Sequence, residues 1–385
     1  MSNMLDYLAW RGDLSFERDP FNSVDALLLS TLSYVDLAGV VPSPGEGKIT
    51  LGEASEKFFG LHSEEELAAD KSFISFAPAL LRHLADSDRF RNAYLLNYIN
   101  DTDISREIQF AAVEIDTGDG IPFISFRGTD DTIIGWKEDF NLSFMTVPAE
   151  EEAARYLKQT MSGRTVNFRA GGHSKGGHLA IYAVAADPGM AERVLAIYNF
   201  DGPGFNDDAL ESERFKNVRP KVMKYIPETS IVGRLLTNTT EPVVVKSSEF
   251  GIMQHSPLTW QLEGKEFETC NATDKISDLF DETMTTWLDE MSFEERKVFV
   301  DELFSVFEAS GCENLSMLTK VGVRGTKAMI GQMRQIRNDS GAKVRTLVKM
   351  FFVNINELRG EAAKEKIEES RILSIASGKI KNGKQ

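Results

Sequence analysis

Cysteine is nearly missing from this chain: among 385 residues only Cys270 and Cys312 occur, far apart and outside any paired spacing. That excludes a disulfide scaffold and a cysteine-based zinc site, and both thiols are expected to be plain buried ones. No apolar run approaches the roughly 20 residues that span a bilayer, so no stable membrane insertion is expected. The first residues lack the basic patch and apolar core of a secretory signal, which predicts a cytoplasmic protein. Positive charge is also short. With 43 Lys+Arg against 59 Asp+Glu the net charge is -16, which argues against a nucleic-acid partner, since such affinity rests on many cationic phosphate contacts. Histidines number five, and no internal repeat is evident.

What is present suits a folded enzyme-sized chain: 42% hydrophobic residues, 10% aromatic, enough for a sizeable core. Residues 1–105 read as a helical lead-in, with an apolar stretch at 23–40, a turn cluster at 42–47 and further helices through 63–97. Strands are predicted at 108–115 and 121–126, joined by Asp116-Thr117-Gly118-Asp119-Gly120, and then at 165–170, 194–200, 221–226 and 241–246. Helical stretches at 150–161, 178–186 and 207–217 alternate with the later strands. This alternation predicts an α/β fold, a mostly parallel sheet flanked by helices, with active groups at the C-terminal ends of the strands. From about residue 274 only helical periodicity remains, at 276–288, 293–307, 314–336 and 341–369. The expected organisation is therefore one domain over 1–270, lead-in included, and a helical C-terminal region over 271–385.

Between the predicted strand at 165–170 and the helix after it lies Gly171-Gly172-His173-Ser174-Lys175-Gly176-Gly177. A serine on a tight strand-to-helix turn needs small residues two before and two after it, because a Cβ at either place would strike the turn backbone. Gly172 and Gly176 meet that need. The start of the helix also directs backbone N–H groups toward the serine, where they would stabilise an oxyanion. The pattern points to acyl chemistry at Ser174. The competing reading is a glycine-rich turn in which Ser174 only caps the helix, or a phosphate loop, although such loops carry their lysine at the end of a longer glycine run.

Phe126-Arg127-Gly128-Thr129, Trp136-Lys137-Glu138-Asp139-Phe140 and Gly172-His173-Ser174-Lys175-Gly176-Gly177 follow in the order and spacing of class 3 lipases, and the chain resembles that family of α/β-hydrolases. With Asp201-Gly202-Pro203-Gly204-Phe205 and Gln254-His255, it is most similar to a bacterial, lipase-like group that keeps a lysine after the serine. The resemblance covers the middle of the chain. It implies Ser174 as nucleophile, Thr129 as one oxyanion donor and the backbone N–H of Lys175 as the other. Arg127 and Asp139 are expected to pair and hold their loop, and Trp136 to pack.

A nucleophilic serine needs a histidine base, and the candidates are His62, His83, His173, His178 and His255. His62 and His83 fall in the lead-in. His173 lies inside the turn, directed away from the serine, and His178 one turn into the next helix, so both are expected to pack. His255 remains, on the loop after the 241–246 strand, where α/β-hydrolases place their histidine. Two strand ends offer the orienting acid. Asp201 sits on a Gly-Pro-Gly turn, and Glu228 ends the following strand, where class 3 lipases carry an aspartate. Asp201 is preferred and Glu228 kept as the alternative; either gives the order serine, acid, histidine.

These readings predict a serine hydrolase, without a cofactor, for a small-molecule ester or a lipid. The apolar segments 27–37 and 303–318 are candidates for a lid or acyl groove, though such stripes more often form core. The rival expectation is a catalytically silent binding or scaffold module with a protein partner on the C-terminal helices. A basic tail acting at anionic membranes is a third.

Overall fold

A computed structural model of the chain describes residues 2–69, 74–103, 108–129, 148–228, 230, 232–234, 236–249, 251–270, 292–311 and 323–336. Its centre is a mixed eight-stranded sheet whose strands lie side by side in chain order. The strands are β1 (Lys48–Thr50), β2 (Tyr94–Asp103), β3 (Ile108–Asp116), β4 (Phe123–Phe126), β5 (Phe168–His173), β6 (Val194–Phe200), β7 (Val222–Pro227) and β8 (Val243–Val245). The pairs from β1 to β4 are antiparallel, and those from β4 to β8 are parallel. A two-stranded hairpin of β9 (Leu262–Glu263) and β10 (Glu266–Phe267) follows.

Helices cover both faces, and each face has its own apolar core. On one face lie α1 (Met4–Arg11), α2 (Ser23–Leu32), α3 (Leu51–Leu61), a short α4 (Glu64–Ala69) and α5 (Ala77–Asp86). Their Leu27, Leu32, Leu51 and Leu80 pack with Phe123, Phe200 and Trp260. On the other lie α6 (Pro148–Met161), α7 (Lys175–Ala185), α8 (Pro188–Arg193), α9 (Asp207–Glu211) and α10 (Glu213–Val218), with Tyr156, Leu179 and Phe215 against Ile124, Phe126 and Ile197. Strand β4 shows the consequence of two-sided cover: all four residues are buried, with Phe123 in the first core and Ile124 and Phe126 in the second. Ser125 tolerates burial because its hydroxyl donates to Leu29 O of α2 at 2.9 Å. This is the α/β-hydrolase fold expected from the sequence.

Details of the lead-in differ from expectation. The sheet does not begin at residue 108: β1 and β2 already lie within 1–105. Strand β2 is interrupted by a bulge between Leu96 and Ile99, with Asn97 at φ 54, which breaks the period-two pattern that would have marked it. The stretch at 23–40 is helical only to Leu32, and 207–217 divides into two short helices. Leu27, Leu28, Leu29, Leu32 and Leu37 are fully buried core side chains.

Helix α2 is held by polar contacts of its first turn. The Asn22 carboxamide accepts from Val24 N, and Asp25 returns a bond from Asn22 N, a capping box. Asp25 is itself buried and takes two bonds from Arg89, at 2.8 and 2.6 Å, and one from Tyr7 Oη at 2.9 Å. Beyond residue 270 the described elements are α11 (Phe293–Ala309) and α12 (Val323–Gln335). The predicted helices at 276–288 and 341–369, the basic tail and Cys312 lie outside the described residues. No helix among the described residues is long and apolar enough to cross a membrane.

Candidate active site

Strand β5 ends at His173 and α7 begins at Lys175, so the chain reverses within one residue. Ser174 takes that turn at φ 56, ψ -134, a strained position for a residue with a side chain, and its N–H is bound to Phe200 O at 2.8 Å. The flanking glycines are required by contact. A Cβ on Gly172 would lie 2.5 Å from Phe126 O, and one on Gly176 would overlap the same carbonyl oxygen. Strand β4 therefore runs against the turn with no room for side chains. Ser174 is 2% exposed, at the N-terminus of α7, with Lys175 equally buried as the first helical residue.

Asp201 ends the neighbouring strand in the same manner, at φ 54, its N–H bound to Tyr225 O at 2.8 Å. Its carboxylate is 1% exposed and reaches two loops. One oxygen, Oδ1, accepts from Ser230 Oγ and from the N–H of Gly233 at 3.2 Å. The other, Oδ2, accepts from His255 Nδ1 at 2.6 Å. A carboxylate only accepts here, so the His255 hydrogen sits on Nδ1. His255 lies on the 3₁₀ turn Gly251–His255 beyond β8. Glu228 is engaged elsewhere: its Oε1 accepts from Cys270 Sγ at 2.7 Å, and Cys270 is half-buried, not fully buried.

Two bonds fix the backbone that carries His255. Trp260 Nε1 donates to Gln254 O at 2.9 Å, and His173 Nε2 lies 2.7 Å from His255 O. The rings of His173 and His255 stand 4.5 Å apart. The sequence assigns His173 only a packing role; in the structure it also touches Tyr34 Oη through Nδ1, at 2.8 Å. Burial holds its pKa well below the ordinary imidazole value, and the adjacent His255 adds to that effect.

His178, buried on α7, stacks on Phe205 at 4.0 Å, with Nδ1 3.1 Å from Gly204 O and Nε2 2.8 Å from Glu150 Oε1. It clamps the turn that begins at Asp201. His83 is exposed on α5, and His62 is half-buried beside Glu66. Thr129 is buried just beyond β4. Arg127 donates to Asn100 Oδ1 at 3.0 Å; Trp136 and Asp139 lie outside the described residues.

A buried lysine near the acid has no forewarning in the sequence. Lys224 on β7 is in register with Asn199 of β6, 1% exposed, and donates to Asn238 Oδ1. Burial pulls its pKa down to about 7; the Asp201 carboxylate opposes the shift and Arg234 reinforces it. No group of three or more histidine, cysteine, aspartate or glutamate side chains able to hold a metal ion occurs among the described residues.

The sequence pattern of the Mbeg1-like family matches residues 84–305, more than half of the chain and all of the strands from β2 to β8. The chain belongs to the Mbeg1-like family. Among solved structures, M37 lipase aligns with 13% identity over 54% of this chain and 68% of its own, at a TM-score of 0.33. No curated protein matches.

Proposed function

We propose that this Mbeg1-like protein is a serine hydrolase that cleaves a carboxylic ester, or a thioester, through an acyl-serine intermediate. The observation that carries the reading is the 2.6 Å contact between Asp201 Oδ2 and His255 Nδ1, together with a serine held at φ 56 on a strand-to-helix turn whose N–H binds the carbonyl of Phe200, the residue before Asp201. A turn that served only to cap α7 would not need that strain, and the Ser174 side chain makes no capping bond.

Asp201 keeps the His255 hydrogen on Nδ1, so Nε2 takes the proton of Ser174 as its oxygen attacks the carbonyl carbon. The carbonyl oxygen becomes an oxyanion, to which the N–H groups of Lys175 and Thr129 would donate; one such donor is worth about 10²–10³ in rate. The proton then passes from His255 to the leaving alcohol or thiol as its bond to carbon breaks. Water, deprotonated by His255, attacks the acyl-serine; the bond from the acyl carbon to Ser174 Oγ breaks, His255 returns the proton to that oxygen, and the carboxylic acid leaves. The buried imidazolium formed on the way is paired with the Asp201 carboxylate. This chemistry uses the chain's own groups and water, and the substrate is a small ester or a lipid.

The test is intact-mass detection of a fluorophosphonate adduct on wild type, Ser174→Ala and His255→Ala. One adduct on wild type, lost in both variants, supports an activated serine. A folded wild type without an adduct would favour a binding module instead.

A further inference from the structure

Tyr34 lies in the turn after α2, distant in sequence from the serine turn, yet its hydroxyl is buried within it. The carbonyl of His255 can only accept, so the hydrogen of the neutral His173 ring sits on Nε2, 2.7 Å away. Nδ1 of His173 is then an acceptor, and the Tyr34 hydroxyl 2.8 Å from it is the donor. The direction of the chain of bonds follows: Tyr34 O–H to His173, and His173 N–H to the backbone of His255. Gly128, next to Thr129, completes the arrangement, because a Cβ there would overlap the Tyr34 hydroxyl and would lie 2.6 Å from His173 O. All three side chains are buried, His173 completely.

We infer that Tyr34 and His173 are positioning residues for the base: Tyr34 locks His173 as the neutral Nε2–H tautomer, and His173 in that form holds the backbone of His255 in place. The inference rests on the serine-hydrolase reading and adds two residues to it. Neutrality matters as much as placement. His255 becomes an imidazolium while Ser174 attacks, and a second cation with its ring 4.5 Å away would oppose that charge. A ring whose Nδ1 already accepts from tyrosine has no ready site for a second proton. Among the described contacts, the titratable groups that face His173 are Tyr34 and His255, with Asp201 behind His255.

The experiment uses the full chain, labelled with ¹⁵N-histidine, as wild type, Tyr34→Phe, His173→Phe and His173→Gln. Ring nitrogen shifts report the tautomer of His173; fluorophosphonate labelling rates, and kcat and KM on any ester that turns over, report its effect. Wild-type His173 is expected to carry its hydrogen on Nε2, and Tyr34→Phe to mix the tautomers. His173→Phe should label about 10²-fold more slowly, as expected for a misplaced catalytic group, with KM changed less than about twofold. His173→Gln keeps a donor near the Nε2 position and should recover most of the rate. A folded His173→Phe that labels like wild type, or a wild-type His173 protonated on Nδ1 alone, would overturn the inference while leaving the hydrolase reading intact. A wild type that takes no label would overturn both, whatever the ring shifts report.

Discussion

The Tyr34 hydroxyl occupies the space that a side chain at Gly128 would need. A residue from the turn after α2 and a glycine just beyond a central strand thus share one small volume next to Thr129. Gly128→Ala should cost about 1–3 kcal/mol from overpacking. Because relief requires the tyrosine or the Thr129 loop to move, fluorophosphonate labelling should slow as well. Urea unfolding and labelling kinetics on the same sample measure both, and a stable, fully reactive alanine variant would mean that the tyrosine moves aside without consequence.

Asp201 and Glu228 make a direct contest. Asp201→Asn keeps the size of the side chain but replaces the acceptor that holds the His255 hydrogen on Nδ1, and should lower kcat by about 10⁴. Glu228→Gln, whose carboxyl contacts Cys270, should change kcat less than about tenfold. Comparable losses in the two variants would return Glu228 to candidacy. Steady-state rates on one chromogenic ester decide it.

How much of the fold and site is legible in the sequence follows from the range of each interaction. The serine turn is legible because its constraint is local: glycines two residues either side of Ser174, an apolar strand before and a helix after. The same holds for β3, β4, β6 and β7, short apolar runs bounded by turn residues. Strand β2 is not, because the polar run from Asn100 to Asp103 and the bulge at Leu96–Ile99 hide the alternation. The choice between Asp201 and Glu228 stays open in the sequence because both end strands, and only the placement of the His255 loop separates them. Tyr34 and Lys224 carry no local signal at all. Tyr34 acts on a residue 139 positions away, and Lys224 reads as an ordinary strand lysine until the sheet buries it.

Lys224 ties stability to pH. Its folded pKa, about 7, lies below its unfolded value of about 10.4, so the unfolded chain holds the extra proton between those limits. Stability from this group is lowest below pH 7, where the charge must stay buried, and rises with pH up to about 10. Lys224→Met should therefore stabilise the protein more at pH 6 than at pH 9, by a difference of about 3 kcal/mol. Above pH 7 the lysine is largely neutral, and Asp201 loses little by the change. Urea midpoints of both proteins at the two pH values test this; an identical difference at both would mean that Lys224 does not titrate in that range.

The Arg89–Asp25 pair offers a test of whether the first helices are structural supports of the site or separable from it. Both side chains are fully buried, and Asp25 stands in the first turn of the helix that leads to Tyr34. Removing one partner leaves an uncompensated buried charge, so Arg89→Leu should cost about 3–5 kcal/mol. Replacing both, Arg89→Leu with Asp25→Leu, removes the stranded carboxylate and should recover part of that loss, less the bonds Arg89 gives to Leu14 O and Asp19 O and the one Asp25 takes from Tyr7. If α2 positions Tyr34, the single variant should also label with fluorophosphonate more slowly at a temperature where it remains folded, and the double variant should regain rate along with stability. A single variant that is destabilised yet fully reactive would separate the two roles and make α2 a support for the core alone.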